Sequence, residues 1–169
     1  MKPVKNLRLS TLCAIASCFL GSAAMADSAT SSMNVSANVS NSCSISANPL
    51  AIGAYNPSSP GDATGTGSLS ITCTKDAPVS IMLGEGQHSD AGSTQDSPLR
   101  RMSNGTDLLS YALFQDEAFT TGWGDSAASG KSSIGLGAPE SHSVYLKIAA
   151  GQNVSAGSYA DTVVATVSF

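Results

Sequence analysis

The chain has 169 residues, of which 41% are hydrophobic, 12% charged and 5% aromatic, with a formal net charge of −4 and a pI near 4.8. That length supplies one ordinary domain with a sizeable core, and the hydrophobic content excludes a wholly disordered chain. A nucleic-acid partner is excluded as well, because phosphate binding needs clustered Lys and Arg, and no stretch approaches the roughly 20 apolar residues of a membrane span.

Residues 1–26 have the three parts of a secretory signal peptide. Lys2, Lys5 and Arg8 form a positive start, residues 9–20 form a short apolar run, and Ala24-Met25-Ala26 supplies the small residues that signal peptidase needs. The competing reading is a lipoprotein box at Ile15-Ala16-Ser17-Cys18, which the continuation of the apolar run past Cys18 disfavours. Cleavage after Ala26 takes away three of the eight basic side chains, leaving five against twelve acidic ones and a net charge of −7. It also removes Cys13 and Cys18, so that Cys43 and Cys73 remain as an even pair in an exported chain. A disulfide is the natural reading. The alternative, a metal or redox pair, would have only His88 and His142 to assist it and no C-x-x-C.

Period-two alternation dominates the chain beyond residue 26, and no window shows the i, i+3, i+4 spacing of an amphipathic helix, so the fold class is all-β. Met33, Val35, Ala37 and Val39 alternate with Asn34, Ser36, Asn38 and Ser40, the pattern of a strand with one apolar face. Further strands are predicted over residues 67–74, 79–83, 108–115, 143–149 and 162–169. Between them, residues 56–65, 84–98, 122–139 and 151–157 are rich in Gly, Ser, Pro, Asp and Asn and read as turns. Six or seven short strands in this length predict a sandwich.

Two features depart from a self-sufficient sandwich. The sequence stops within its most regular strand, with Val163, Ala165, Val167 and Phe169 on one face. The alternating segment near residue 33 begins almost at the predicted cleavage site, where an unpaired apolar strand is an aggregation hazard. A strand to lend and a gap to fill together allow polymerisation by β-strand addition; the alternative is that both segments are ordinary core strands of a complete sandwich.

The run Gly157-Ser158-Tyr159-Ala160-Asp161-Thr162-Val163-Val164-Ala165-Thr166-Val167-Ser168-Phe169 resembles the G-x-Y-x-D-x-V-x-x-T-V-x-F signature that ends the spore coat protein U-like domain, a domain also found in subunits of archaic chaperone-usher pili. Cys43 before a strand, Ser70-Ile71-Thr72-Cys73-Thr74, Arg101-Met102, the run Leu109-Ser110-Tyr111-Ala112-Leu113-Phe114-Gln115-Asp116, and Trp123-Gly124-Asp125 match in family order. The resemblance spans nearly the whole mature chain. It implies an incomplete immunoglobulin-like β-sandwich of six strands, completed by a donor strand. It also implies three partners: a periplasmic chaperone that first fills the groove, an outer-membrane usher, and other subunits whose N-terminal strand replaces the chaperone. On this reading Val163, Ala165, Val167 and Phe169 form the acceptor groove strand, while Met33, Val35, Ala37 and Val39 form the donor. Residues 27–40 are then the donor segment and 41–169 the pilin domain of a periplasm-transiting, cell-surface fibre subunit. A secreted, self-associating coat protein of the same fold is the alternative.

Other residues carry weaker signals. Tyr159 is either a brace whose phenol bonds backbone upstream or a plainly packed ring. Arg100-Arg101 reads as a solvated loop pair, with Asp107 or Asp116 as the acidic partners otherwise available. Trp123, the only Trp, reads as buried over the core edge rather than exposed for adhesion. His88 and His142 stand in polar loops, and no nucleophile elbow, zinc helix or phosphate loop is present. No enzymatic activity, metal or cofactor is expected.

Overall fold

The computed structural model describes residues 26–169. The export signal predicted over residues 1–26 therefore lies outside the described residues, apart from Ala26. The chain divides into two units, Met1–Ala37 and Asn38–Phe169. In the first, residues 26–37 carry no helix or strand and are exposed. The alternation of residues 33–39 is thus not realised as a strand, as expected where no ladder takes up the backbone N–H and C=O groups.

The second unit contains eight strands and no helix among the described residues: β1 (Cys43–Ala47), β2 (Ala63–Cys73), β3 (Pro78–Leu83), β4 (Arg100–Ser103), β5 (Leu108–Phe114), β6 (Lys131–Ile134), β7 (Pro139–Ile148) and β8 (Ala165–Ser168). A five-stranded sheet in the order β1-β2-β7-β5-β4 faces a three-stranded sheet in the order β6-β3-β8, and every pairing is antiparallel. The strands predicted at 67–74, 79–83, 108–115, 143–149 and 162–169 correspond to β2, β3, β5, β7 and β8. The count of eight exceeds the expected six because β4 and β6 are four-residue strands set within Arg-rich and Ser-rich stretches, and β6 falls inside a segment read as a turn.

Alternation places one face of each long strand inside. Leu69, Ile71 and Cys73 of β2, Val79, Ile81 and Leu83 of β3, Leu109, Tyr111 and Leu113 of β5, and Val144, Leu146 and Ile148 of β7 form one core. Burying each of the aliphatic members contributes about 1.5–3 kcal/mol. Trp123 is buried with them, and its indole Nε1 donates to the Ile81 carbonyl at 2.8 Å. Cys43 and Cys73 face each other in the β1–β2 register and are disulfide-bonded.

Arg100 corrects the reading of a solvated pair. It is 2% exposed, on the inward face of β4, and donates through Nε to Gly84 O at 2.7 Å and through Nη2 to Leu83 O at 2.5 Å and Trp123 O at 2.9 Å. Three carbonyls at the close of β3 and beside the core thus replace water around the guanidinium, satisfying the donors that burial would otherwise leave unpaired. Burial lowers its pKa, while the charges of Tyr111, Asp125, Asp161 and Glu85 act in the opposite direction. Arg101 does remain partly exposed, but its ion pair is with Asp90 at 3.0 Å rather than with Asp107 or Asp116. His142 is likewise not in a loop: it lies on the inward face of β7, 3.8 Å from a Glu140 oxygen, and burial followed by the Lys131 charge lowers its pKa.

Candidate assembly groove

The polymerisation reading concerns the flank of β8. That strand pairs with β3 through four residue pairs, from Ser80↔Ser168 to Leu83↔Ala165, and stands at the edge of its sheet. Its approach is tied to both sheets. Ala160 and Ser103 exchange backbone bonds of 3.0 and 2.9 Å on β4's side, and Gly84 N donates to Val164 O at 2.8 Å on β3's side. The backbone is thereby fixed while the other flank of β8 offers donors and acceptors to no ladder among the described residues.

Across from β8, the chain leaves β1 after Ala47. Its last ladder-like bond is Asn48 N to Ser68 O at 3.0 Å, after which the backbone passes over the inward face of β2. Two glycines allow that passage. A Cβ on Gly67 would lie 2.9 Å from Leu50 Cβ, and one on Gly65 would lie 2.8 Å from Ile52 Cγ1. Larger residues at 65 and 67 would push Leu50 and Ile52 off the sheet.

Between this segment and residues 161–165 lies a cavity of about 450 Å³. Its walls include Leu50, Val163 and Ala165, and its floor includes Leu83, Leu113 and Leu146. A second cavity, of about 690 Å³, continues the first two residues further along each element: Ile52 follows Leu50, Leu109 follows Tyr111, Ile148 follows Leu146, and Tyr159 follows Asp161. A step of two residues keeps the same strand face, so the two cavities follow one another along the groove, the first mainly apolar and the second of mixed polarity with Tyr55, Ser155, Ser158 and Tyr159 in its lining.

Polar groups hold the groove's rim. Tyr111 Oη donates to Asp161 Oδ2 at 2.6 Å, and Gln87 N donates to Asp161 Oδ1 at 2.8 Å. Burial first, and then the bond and charge of Asp161, push the Tyr111 phenol well above the ordinary tyrosine range. Tyr159 Oη donates to Ser155 O at 2.9 Å, so the upstream backbone brace is formed, and Tyr55 Oη makes an analogous bond to Ala149 O at 3.0 Å. The Ser155 side chain first, and then the Ser155 N–H that donates to Asp107 Oδ2 at 2.8 Å, hold the Asp107 carboxyl below the usual range. The arrangement offers hydrophobic burial and strand pairing, with no acid–base or nucleophilic constellation.

Of the residues assigned to the groove strand, Val163 and Ala165 line the cavity, Val167 packs against the core, and Phe169 is exposed. Val164, on the opposite face, is exposed as the alternation requires. Met33 and Val35, assigned as donors, are 87% and 88% exposed, and Ala37 and Val39 are exposed too. Sequence reasoning missed Leu50, Ile52 and the Gly65/Gly67 pair. Glycines two apart in a strand are the one signal that a close backbone approach leaves behind.

The Spore Coat Protein U domain family matches residues 29–166. "Protein U" of Myxococcus xanthus is 43% identical over 172 residues, covering 95% of this chain and 96% of that protein. Among solved structures, one chain of the chaperone–tip adhesion subunit pre-assembly complex of the archaic chaperone-usher Csu pili of Acinetobacter baumannii aligns with a TM-score of 0.55 and 24% identity. The alignment covers 78% of this chain but only 40% of that one, so the likeness is one of fold.

Proposed function

The chain belongs to the Spore Coat Protein U domain family, and from that premise we propose that it is a structural subunit of a bacterial surface fibre assembled by donor-strand complementation. The family and the pilus-subunit fold are structural rather than enzymatic, and they support a pilus or coat subunit exported to the cell surface. The observation that carries the finer reading is the apolar groove beside β8. It presents Leu50, Val163 and Ala165 around a cavity long enough to continue into a second one, at the edge of a sheet. The complementary observation is a segment whose apolar side chains Met33, Val35 and Val39 are all exposed.

In this mechanism a periplasmic chaperone occupies the groove after export, and at an outer-membrane usher the segment around Met33, Val35, Ala37 and Val39 of another copy replaces it. Pairing with β8 satisfies the strand edge, while alternate side chains enter the groove and the intervening Asn and Ser stay outside. Domain boundaries at residues 27–40 for the donor and 41–169 for the acceptor follow from this division, with cleavage after Ala26 freeing the donor. The acceptor strand is Val163, Ala165, Val167 and Phe169.

A second reading, a secreted coat protein that self-associates without an usher, is favoured by the 43% identity to Protein U over nearly that protein's full length. Expression of the mature chain without and with a chaperone tests the proposal. The expected result is insoluble or degraded protein in the first case, and in the second a soluble complex from which a peptide of residues 27–40 displaces the chaperone. A soluble, cooperatively unfolding monomer with an unoccupied groove would refute it. Surface assembly that persists when the usher is deleted would favour the coat reading.

A further inference from the structure

The two aliphatic side chains Ile134 and Leu136 are 61% and 64% exposed, yet the end of β6 and the loop to β7 that carry them are firmly held. Gly135 N donates to Ala77 O at 2.8 Å, Asp76 N to Gly135 O at 2.8 Å, Gly137 N to Cys73 O at 3.0 Å, and Leu136 N to Glu140 Oε1 at 3.0 Å. A Cβ on Gly135 would collide with the Thr74 carbonyl, and Gly137 has φ +73°, so the close fit depends on both glycines. Because the loop is already ordered, a partner that meets these side chains pays little to immobilise them.

Their place in the fold indicates the partner. The loop touches Cys73, which is bonded to Cys43, and Thr74 N donates to Ser42 O at 2.9 Å. It therefore sits at the pole where the donor segment joins the domain. Phe169 is at this pole too, because Pro78 pairs with Ile134 and Ser80 with Ser168. The 690 Å³ cavity is at the other pole, at the far end of β7, about 30 Å away for a ten-residue strand.

On the proposed function, each copy sends its donor out of one pole and receives another in a groove that runs from pole to pole. A filament propagates only through a heterologous contact between unlike poles. The incoming donor must then leave the acceptor at the Tyr159 pole, which makes it antiparallel to β8. Only Ser40, Asn41 and Ser42 separate Val39 from Cys43, four Cα steps that span at most about 14 Å. The tether thus keeps Cys43 of one copy within about 14 Å of its Val39, seated at the Tyr159 pole of the next copy, so the two poles face each other across the joint.

We propose that Ile134 and Leu136 make a second contact at this joint, against the partly exposed Tyr55, Val154 and Tyr159 at the rim of the next copy's groove, beside the point where the bound donor emerges. This rests on the donor-strand reading but is separable from it. The contact turns a joint tethered by one strand into one fixed at two points, which restricts bending between subunits.

The test is photo-crosslinking of polymer grown from chaperone-bound mature chain, in which a copy carrying Leu136→p-benzoylphenylalanine is co-assembled with an excess of unmodified chain. Dependence of the polymer on the donor is checked in parallel with Val35→Asp. The expected result is a crosslinked dimer whose junction maps to residues 52–57 or 154–159 of the neighbour, in polymer that Val35→Asp abolishes. Crosslinks that map elsewhere, or none at all, in polymer that still requires Val35 overturn the joint contact and leave the donor reading standing. Polymer that forms regardless of Val35→Asp, or no polymer, overturns the donor reading and the joint contact with it.

Discussion

Removing the disulfide should cost the domain a calculable share of its stability. Cys43 and Cys73 are 30 residues apart, and the chain-entropy treatment of a loop of that size gives about 3.7 kcal/mol at 25 °C. The structure adds a local consequence: β1 is an edge strand of five residues that, among the described residues, pairs only with β2, so the bridge also pins the strand next to the donor junction. Cys43→Ala/Cys73→Ala is the suitable perturbation, because Cys73 is buried and Ser there would bury a hydroxyl. For a unit of about 130 residues the unfolding entropy near the midpoint is about 0.27 kcal/mol/K, so the expected fall in Tm is about 13 °C. Calorimetry on the chaperone-bound or peptide-complemented subunit gives the shift, and hydrogen exchange should show β1 amides losing protection before those of β7. A drop below about 3 °C, with β1 protection unchanged, would refute both the entropic argument and the role given to β1.

Three further outcomes rest on named contacts. Arg100→Met should destabilise the domain by about 3 kcal/mol or more, since three buried carbonyl acceptors lose their donor at about 1 kcal/mol or more each, and Arg100→Lys should not restore it; urea unfolding reads both. Gly67→Ala should cost about 1–3 kcal/mol by crowding Leu50, and a double-mutant cycle with Leu50→Ala should recover part of it, which independent effects would not do. The raised Tyr111 pKa means that the folded state holds a proton that the unfolded state releases near pH 10. Stability is accordingly full below that pH and declines above it by up to about 1.4 kcal/mol per pH unit, a slope that Tyr111→Phe should remove in unfolding measurements from pH 9 upwards.

How much of the fold was legible in the sequence depends on what faced inward. β2, β3, β5 and β7 were readable because their inward positions hold Leu, Ile, Val, Tyr or Cys in strict alternation. β6 was hidden because its half-buried, inward positions are Lys131 and Ser133, and β4 because its buried position is Arg100; a search for apolar periodicity passes over both. β1 offered only Cys43 and Ile45 among serines and Ala47. Of the candidate groove, Val163 and Ala165 were legible as one face of a strand. Leu50 and Ile52 were not, because the segment that carries them is irregular and is positioned by the absence of side chains at Gly65 and Gly67, which periodicity does not register. Asp161 was legible only as a letter in the C-terminal signature, and its bond to Tyr111 is a contact 50 residues apart in sequence.

In the proposed assembly, alternate side chains of the N-terminal segment enter the groove of another copy, and the most direct measurement compares the two faces of that segment. Val35→Asp or Val39→Asp places a carboxylate where an apolar group is to be buried, at a cost of several kcal/mol, whereas Asn34→Asp or Asn38→Asp changes the face left in solvent. Electron microscopy of surface fibres, paired with a pull-down of each variant on the chaperone, should find fibres with the Asn variants, none with the Val variants, and chaperone binding throughout. Fibres that persist with Asp on either face would contradict the donor assignment, and loss of chaperone binding in the Val variants would place the segment in the subunit's own core.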